Sequence, residues 1–477
     1  MTQSAFEVAS PSVRFGRLER RGVLLGLSGA QLAVVGVGLA TAVAAVYSAG
    51  FAGLLAATPV WLTLLGIGTG SVAGRALVAW IPLIGQWIGR RICGRTSAVA
   101  STRAAARTDR HLTLPGVGLR LELVHCAALG GATLLVDRRA GTLTAVLRVG
   151  GAGFVLEDAA TQGSRVVGWG RVLAGLCQQP AIVRVQLLSR AIPGGLAPAR
   201  AWWREHCATP STPLLAHLAS LLDTGFVEPL TRETLLAVAV RSPRRAHLDL
   251  GDVAAIARHL HGVADAVSGA DLVPEGWLDA AELKVRIRTG YDPFAGPTVE
   301  SVGPGTPAGP LGVDERWGLM RCDNAVHATY WVSEWPRSEV DPAFLQPILL
   351  GAARVRTMTV IAEPIPIAKA LREIRRSKAE YAANSAQRAR IGQIEAEATR
   401  AEHVDLERRE AELVAGHGDL RYTGLITVSA PDEAALSEQC AALATAAAQA
   451  MCDLRLLVGQ QGQAHLAAML PLARGVL

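Results

Sequence analysis

The amino-acid sequence predicts a membrane-anchored α+β protein: a two-helix transmembrane hairpin followed by ferredoxin-like α/β modules with an inserted charged helical hairpin. Three observations lead to this fold class. Residues 22–74 contain no Asp, Glu, Lys, Arg or His. Beyond residue 110, strand-like and helical patterns alternate, as they do in β-α-β-β-α-β modules. Within that alternation, residues 367–415 are rich in interleaved opposite charges, which is typical of solvated helices.

The uncharged run is long enough for two membrane helices. A spanning helix needs about 20 apolar residues, and residues 23–46 and 54–73 each satisfy this requirement. The connection between them, residues 47–53, is short and uncharged. A secretory signal peptide is the alternative for the first helix, but its apolar region is usually about 7–15 residues long. The longer run, followed directly by a second one, favours the hairpin.

Arginines on both sides of the hairpin predict its orientation. Residues 1–110 contain eleven arginines and three acidic residues, a balance of +8, so the rest of the chain sums to −2 of the total +6. Positively charged flanks stay in the cytoplasm. Both termini are therefore expected inside, in a cytoplasmic (inner) membrane protein with two spans whose basic flanks meet anionic lipid. Direct nucleic-acid binding, which needs a dense basic surface, is not expected.

Two further patterns concern the membrane. Small residues recur every four positions in both predicted helices, which favours close helix packing, although glycine is common in membrane helices in any case. After the hairpin, Trp80 and Trp87 stand two helical turns apart, ahead of Arg90 and Arg91. This order is typical of an interfacial helix. Pro82 predicts that this helix is short or broken.

Composition divides the chain into four segments. Residues 1–110 hold the hairpin, its basic flanks and the interfacial helix, and residues 111–289 are expected to form a first cytoplasmic α+β domain. Residues 290–312, with five prolines and six glycines, are expected to be a linker or loop. Residues 313–477 are expected to form a second cytoplasmic α+β domain with a helical arm at 367–415.

The pattern within the two domains predicts individual elements. Strands are expected at residues 119–124, 133–137, 143–149, 182–189, 232–240, 327–335, 355–363, 420–429 and 453–458. Helices are expected at residues 158–177, 198–207, 213–222, 252–267, 342–350, 431–451 and 460–470. The arm is expected to bend at Gly392 and to end at Gly416, and it has two interpretations: a docking arm for another subunit, or a solvated lever with a structural role.

No linear motif nominates a catalytic, cofactor-binding or metal residue, so none is predicted and the chain is not expected to be an enzyme. Without a Gly-Lys dipeptide there is no P-loop, and there is no HExxH or GxSxG motif. His259 and His261 are two apart on a predicted helix and therefore point to different faces, and His206–Cys207 is an isolated pair. Seven scattered cysteines without a C-x-x-C pair indicate free thiols in a reducing cytoplasm.

Several segments resemble proteins of actinobacterial conjugation and type IV secretion systems. The amino-terminal part is similar to the small PrgI-like inner-membrane subunit, through RFGRLERRGVLLGLSGAQL (residues 14–32) and GRALVAWIPLIGQWIGRR (residues 74–91). The carboxyl-terminal part is similar to the non-catalytic amino-terminal domain of the conjugation ATPase, through REAELVAGHGDLRYTGLITVSA (residues 409–430) and DLRLLVGQQGQAHLAAMLPLARGV (residues 453–476). The resemblance implies a membrane subunit fused to an ATPase-anchoring domain, with the motor supplied by a separate protein.

The expected function is therefore a non-catalytic inner-membrane scaffold that docks a separate conjugation-type P-loop ATPase. Its expected partners are that ATPase, other inner-membrane secretion subunits, anionic lipid and further copies of itself. The alternative is a membrane-anchored enzyme, a hydrolase or transferase, whose site has no linear motif. A third class, a DNA-contacting coupling factor, is disfavoured by the charge of −2 beyond residue 110.

Overall fold

The chain folds into two compact units, residues 17–96 and residues 1–16 together with 97–477. The computed structural model describes residues 13, 15, 27–72, 74–100, 111–115, 120–151, 153–194, 197–207, 212–224, 230–243, 250–295, 308–351, 355–391 and 397–475. Each unit is described by itself below.

The smaller unit, as far as it is described, is mostly helical. It contains helices α1 (Gly29–Ala56), α2 (Thr58–Thr69) and α3 (Leu77–Ile92), and the short strands β1 (Ser71–Val72) and β2 (Arg75–Ala76). Ser28 and Gln31 form a capping box at the start of α1. This box satisfies backbone donors of the first turn, which have no partner within the helix.

Helix α1 is the single helix among the described residues that is long and apolar enough to cross a membrane. Its regular geometry is interrupted at Ala49 and at Gly50, where φ is +62°. Glycine adopts this left-handed conformation without the steric penalty of a side chain. The sequence predicts a second span at residues 54–73. The structure divides that segment between the end of α1 and the separate, shorter α2.

Helices α1 and α2 approach each other closely at two glycines. A Cβ atom at Gly38 would lie 3.2 Å from Leu64 Cβ, and one at Gly68 would lie 2.5 Å from Val35 Cγ2. The Gln31 side chain also donates to Gly68 O at 3.0 Å. Small residues at these points let the two backbones pack without a gap.

Helix α3 is continuous over sixteen residues although Pro82 lies inside it. Of the two alternatives expected from Pro82, a short helix or a broken one, the broken helix is wrong. A proline at the sixth helical position removes one backbone hydrogen bond, and the rest of the helix retains its own. The Arg91 guanidinium lies 5.2 Å from the centre of the Trp87 ring, in a cation–π contact.

The larger unit is α+β, as predicted, with a large antiparallel sheet. Fourteen described strands join in one sheet. Twelve of them follow one another in the order β3-β11-β12-β13-β15-β14-β8-β9-β7-β6-β5-β4. The other two pair outside this order, β10 with β7 and β16 with β13. The strands are β3 (Ser97–Val99), β4 (His111–Thr113), β5 (Arg120–Cys126), β6 (Ala132–Asp137), β7 (Thr142–Gly150), β8 (Ile182–Pro193), β9 (Leu230–Arg241), β10 (Val273–Trp277), β11 (Gly312–Glu315), β12 (Met320–Cys322), β13 (Ala325–Glu334), β14 (Arg356–Ile365), β15 (Asp419–Ala430) and β16 (Asp453–Leu456).

The described helices of this unit lie between those strands along the chain. They are α4 (Ala159–Cys177), α5 (Ala197–His206), α6 (Pro213–Thr224), α7 (Leu250–Ser268), α8 (Ala280–Tyr291), α9 (Ile367–Ile391), α10 (Glu397–Val414), α11 (Glu433–Gln449) and α12 (Gln461–Met469). A π-helical turn, Pro347–Gly351, stands near the predicted helix at residues 342–350.

The sheet contains two halves with the same strand arrangement. In the first half, β7, β8, β9 and β10 lie in the spatial order β10-β7-β9-β8, and in the second half β13, β14, β15 and β16 lie in the order β16-β13-β15-β14. Every pairing is antiparallel, and β8 pairs with β14, from Arg356 opposite Ala191 to Ala362 opposite Val185. The two halves are called the first and second modules below. Each has an insertion after its second strand: α5 and α6 in the first, and α9 and α10 in the second.

Separate apolar cores cover the sheet. Helices α4 and α7 pack on the first module through residues that include Val172, Leu176 and Leu260. Helix α11 packs on the second module through Leu436 and Leu443. A further core involves α8 and α12, which cover buried strand residues of the first module and of β12. Helix α12 also packs on Ile361 and Leu425 of the second module.

The predicted strands and helices of the two modules are largely present, with ends that differ by a few residues. In the larger unit the sequence reasoning missed the described elements β3, β4, β10, α8, β11 and β12. Helix α8 ends at Tyr291, where the Pro/Gly-rich segment was expected to begin. The predicted bend at Gly392 lies outside the described residues.

Candidate functional site

The insertion of the second module, α9 with α10, forms the arm that the sequence predicts at residues 367–415. An apolar cluster holds the arm at its base: Ile365, Ala370, Ile374 and Leu413, with Leu371 packed against them. Farther along, Lys378 Nζ lies 2.5 Å from Glu410 Oε2, and the Tyr381 and His403 rings stack with centroids 4.1 Å apart. The two helices therefore pair through polar and aromatic contacts as well as through their apolar base.

The arm ends at Gly416, as predicted. The φ angle of this residue is +96°, and His417 N donates to Glu412 O at 3.0 Å. This backbone bond spans six residues and belongs to the Schellman motif, in which glycine supplies the left-handed turn that ends a helix.

The root of the arm also contacts the first module. Arg409 Nη2 forms an ion pair with Asp419 Oδ2 at 2.6 Å, and Cys177 Sγ donates to Asp419 O at 3.3 Å. A Cβ atom at Gly418 would lie only 2.6 Å from Cys177 Sγ. The arm root is thus packed against α4 of the first module as well as attached to β14 and β15.

An aromatic clasp fixes the amino-terminal segment to the second module. Val13 and Val340 exchange two backbone hydrogen bonds, of 2.8 and 3.0 Å. The Phe15 ring stacks on Trp335 with centroids 4.9 Å apart, and it also contacts Phe344 and Tyr422. The chain on the amino-terminal side of residues 17–96 therefore belongs to the same body as the chain on the carboxyl-terminal side.

Helix α12 lies on a buried polar layer of the sheet. At its start, Gln461 accepts from Thr329 N at 2.9 Å and donates to Thr329 O at 3.2 Å. At its end, Gln186 Nε2 donates to Ala467 O at 2.8 Å and to Leu470 O at 3.0 Å. The last carbonyls of a helix have no partner within it. Side chains of the strands supply those partners and fix the position of α12.

A cluster of metal-ligating side chains lies beneath α12. Cys322, His327 and His465 each offer one donor atom, and these atoms all lie within 4.8 Å of one another. All three residues are fully buried. Cys322 and His327 come from the β12–β13 hairpin, and His465 comes from α12. A Cβ atom at Gly290 would lie 3.1 Å from Met469 O, so the end of α8 closely approaches the end of α12 beside the cluster.

The hydrogen bonds of the two histidines differ. His327 Nε2 lies 2.8 Å from Tyr291 O, and its Nδ1 lies 2.8 Å from Ser429 Oγ. A carbonyl oxygen can only accept, so Nε2 carries the proton and Nδ1 accepts from the serine hydroxyl. The His465 ring lies by the Gly290 backbone, yet neither of its nitrogens makes a hydrogen bond of ordinary geometry with the described residues. The Tyr291 hydroxyl, also buried, likewise lacks one.

Burial favours the neutral form of each group in the cluster, so it lowers the pKa of the two histidines and raises the pKa of the cysteine. It lowers the pKa of His327 to about 4. The pKa of His465 is also lowered, by burial first and then by His327 and Arg190. Burial raises the pKa of Cys322, and the nearby Asp323 and Asp292 carboxylates raise it further. The histidines are therefore neutral near pH 7, with lone pairs available for a cation.

The histidines singled out in the sequence are not part of this cluster. On α7, His259 is half-buried whereas His261 is exposed with its Nε2 3.0 Å from Ala128 O. His206 stacks on Trp202, four residues earlier in the same helix. The sequence reasoning missed Cys322, His327 and His465. Cys322 and His327 stand only five residues apart, which is a weak signal, and nothing in the sequence links them to His465.

The comparisons with known proteins give no family. No protein-family model matches the chain, and a search of curated proteins finds no relative. Function is therefore inferred from the contacts described above and from the resemblance of the segments already quoted.

Proposed function

We propose that this chain is a non-catalytic inner-membrane scaffold of a conjugation or type IV-like secretion system, and that it docks a separate P-loop ATPase at the membrane. The observation that carries the proposal is the arm. Two long charged helices leave the second module from adjacent strands and are held to it by a small apolar base. Beyond that base most described side chains of α9 and α10 are exposed.

A partner is needed to explain such an arm. Exposed ion pairs such as Arg376–Glu380 and Arg408–Glu412 contribute little stability to a helix pair. Val404 is exposed in the middle of α10. Helices with charged faces and occasional apolar positions are typical of surfaces that recognise another protein. The resemblance of residues 409–430 and 453–476 to the anchoring domain of the conjugation ATPase is our reason for proposing that ATPase as the partner.

We infer that residues 29–69 form a two-span membrane hairpin. The break at Ala49 and Gly50 separates residues 29–48 from residues 51–69, and each segment approaches the roughly 20 residues that a span needs. Contacts of Gly38 with Leu64 and of Gly68 with Val35 fit two antiparallel segments. The helical hairpin is then the membrane anchor, with Tyr47, Ala49 and Gly50 near its tip.

The flanks of the anchor support an even number of membrane crossings. Val13 pairs with Val340 before the hairpin, and Ser97–Val99 pairs with β11 after it. Both flanks belong to one compact body and must lie on one side of a membrane. The arginine-rich flanks favour the cytoplasm for that side, where they would meet anionic lipid.

We further infer that the two modules are ferredoxin-like. Each combines four antiparallel strands in the order 4-1-3-2. In the first module the chain runs β-α-β-β-α-β apart from its insertion, as in that class of fold. In the second module the π-helical turn Pro347–Gly351 stands at the place of the first helix. A shared fold does not define a function, so the assignment of function depends on the arm and the anchor.

The deciding experiment compares two deletions in the native host. Residues 367–415 are replaced by a short Gly/Ser linker in one variant, and residues 197–224, the insertion of the first module, in the other. Tagged proteins are extracted in mild detergent, and the co-purified proteins are identified by mass spectrometry. We expect the parent chain and the 197–224 deletion to retain a P-loop ATPase in near-stoichiometric amount, and the 367–415 deletion to lose it while still inserting into membranes.

Two results would contradict the proposal. If the parent chain carries no ATPase under conditions that preserve other membrane complexes, the scaffold function is wrong. If the ATPase remains with the 367–415 deletion, the docking surface lies elsewhere on the chain. Accessibility of both termini to protease in inverted vesicles tests the topology separately.

A further inference from the structure

The buried cluster beneath α12 supports an inference that goes beyond anchoring and docking. We propose that Cys322, His327 and His465 bind a zinc ion that joins the β12–β13 hairpin to α12. The Tyr291 hydroxyl lies beside this site as a further polar group. The ion has a structural role, because all of these side chains are fully buried.

The donor set is one that zinc prefers. Zinc binds thiolate sulfur and imidazole nitrogen in tetrahedral sites, with bonds of about 2.3 Å to sulfur and about 2.0–2.1 Å to nitrogen. Such bonds place neighbouring ligand atoms about 3.3–3.8 Å apart. The donor atoms here lie within 4.8 Å of one another. Binding therefore requires these donor atoms to approach one another by up to roughly 1–1.5 Å, and it uses three of the four positions of a tetrahedral site.

Unpartnered polar atoms provide a second, independent observation. Both ring nitrogens of His465 and the Tyr291 hydroxyl are buried without a hydrogen bond of ordinary geometry among the described residues. Buried polar groups in proteins nearly always have a partner, and an orphaned group often marks a bound ion or water. The rings of Tyr291 and His465 lie with centroids 5.2 Å apart, and those of His327 and His465 4.5 Å apart. The orphaned atoms therefore belong to one small region.

The tautomer of His327 makes Nδ1 the nitrogen that offers a lone pair to a metal. Its Nε2–H donates to Tyr291 O, which leaves the lone pair on Nδ1. Histidines that ligate metals usually donate their other ring N–H to a carbonyl or carboxylate, which fixes the tautomer and the ring plane. Coordination through Nδ1 would replace one hydrogen bond, the one from Ser429.

The surrounding charges favour a cation on the thiol side of the cluster. The Asp292 and Asp323 carboxylates lie near Cys322. Arg288 pairs with Asp323 at 2.7 Å, and Asn324 donates to Asp292 at 3.0 Å. Two carboxylates with one arginine leave a net negative charge there. Arg190, on the His465 side, opposes a cation, and Glu233 offsets its charge only in part, because Glu233 pairs with Arg286 at 2.8 Å as well as with Arg190 at 3.7 Å.

Binding releases one proton and involves no redox step. The Cys322 thiol loses its proton to solvent as its sulfur forms a bond to zinc, and the two imidazoles bind through lone pairs without losing a proton. The fourth position is left for a water or for the Tyr291 hydroxyl.

The first measurement is the metal content of the full-length protein. The chain is purified in detergent without a metal-affinity step or chelator, and zinc is quantified by inductively coupled plasma mass spectrometry. We expect about one zinc per chain, and at least a tenfold loss in Cys322→Ser and His465→Ala, since even the loss of an outer-shell partner typically lowers metal affinity tenfold or more. Cys126→Ser, which changes an equally buried thiol in another core, should retain the zinc.

The second measurement keeps the test valid if a variant folds poorly. Metal-free parent protein is titrated with Co²⁺ and followed by absorption. We expect one equivalent to bind with a thiolate-to-cobalt charge-transfer band, which Zn²⁺ then removes. A parent protein that contains less than about a tenth of an equivalent of zinc and takes up no Co²⁺ would overturn the proposal, as would saturable binding that is unchanged in Cys322→Ser and His465→Ala.

Discussion

The two modules carry very different insertions at the same place in the same strand order. In the first module, α5 and α6 expose apolar side chains: Trp202, Leu214 and Leu218. In the second module, α9 and α10 form the arm, which exposes mostly charged side chains and pairs through Lys378 and Glu410. Both insertions follow the second strand of their module, so the difference lies in the sequence of the connection and not in the sheet.

The two insertions differ, whereas the apolar cores that stabilise the two modules are alike. The cores beneath α4 and α7 and beneath α11 are both apolar and conventional. A connection between strands can change without disturbing such cores, because its side chains are not part of them. The first insertion exposes apolar surface, and the second exposes mainly charged surface.

The largest expected effect tests whether the two modules are one cooperative body. Leu260→Ala in the first module and Leu443→Ala in the second each remove a fully buried side chain and should each cost about 2–5 kcal/mol of unfolding free energy. Because β8 pairs with β14 in one continuous sheet, we expect each variant to lower the temperature of a single shared transition. Thermal unfolding of the detergent-solubilised chain, followed by tryptophan fluorescence, measures this.

Leu218→Ala in α6 is the matched control, since Leu218 is largely exposed and its loss should change stability by less than about 0.5 kcal/mol. Two separate transitions, each moved by one of the core variants alone, would show that the modules unfold independently.

A smaller loss of stability is expected where the two modules meet, at the pairing of β8 with β14, which is called the seam. Arg190 is fully buried on β8 and donates to Thr289 Oγ1 at 3.0 Å and to Arg286 O at 3.2 Å. Arg190→Met leaves those acceptors without this donor and should cost about 1–3 kcal/mol. The cost stays in this range because Glu233 keeps its ion pair with Arg286 at 2.8 Å. The same thermal experiment applies, with the exposed Arg171→Met as control; equal stabilities of the two variants would mean that Arg190 contributes nothing to the seam.

The smallest expected effect concerns pH and the arm. The hydrogen bond from Lys378 is the main cause that lowers the pKa of Glu410. A lowered folded-state pKa means that the stabilisation is present above the usual glutamate pKa and is lost as pH falls through the lowered value. Spin labels placed on α9 and α10 should show a broader distance distribution in acid than at pH 7.

In Lys378→Ala the distribution should already be broad at pH 7 and should change less in acid. Arg376→Ala, which removes an exposed pair with Glu380 within one helix, serves as the control. A pH response in Lys378→Ala equal to that of the parent would assign the effect to another group.

Much of the fold follows from local sequence, and its assembly does not. The uncharged run at residues 22–74 is evident from composition. The strands and helices of both modules are predicted from the periodicity of nearby apolar residues. Helix α8 was missed although Asp279 and Glu282 form a capping box at its start, a signal that the sequence offers. The pairing of β8 with β14 joins residues far apart in the chain, and no periodicity reports it.

The buried polar layer was unpredictable for a related reason. Gln186, Thr329 and His465 appear in the sequence as ordinary polar residues within apolar segments. Their roles depend on α12 lying across the sheet, where Gln186 supplies partners to the end of that helix. Periodicity in a single sequence shows which face of a helix or strand is buried, but it does not show which other element covers that face.

The aromatic clasp at Phe15 sets an order of events during synthesis. Phe15 leaves the ribosome early, whereas Trp335, on which its ring stacks, is made more than 300 residues later. At about 5–20 residues per second this interval lasts roughly 15–65 s. Helix α1 is therefore complete long before the clasp can close. The segment between Phe15 and Ser97 then becomes a loop whose two ends are held by one folded body.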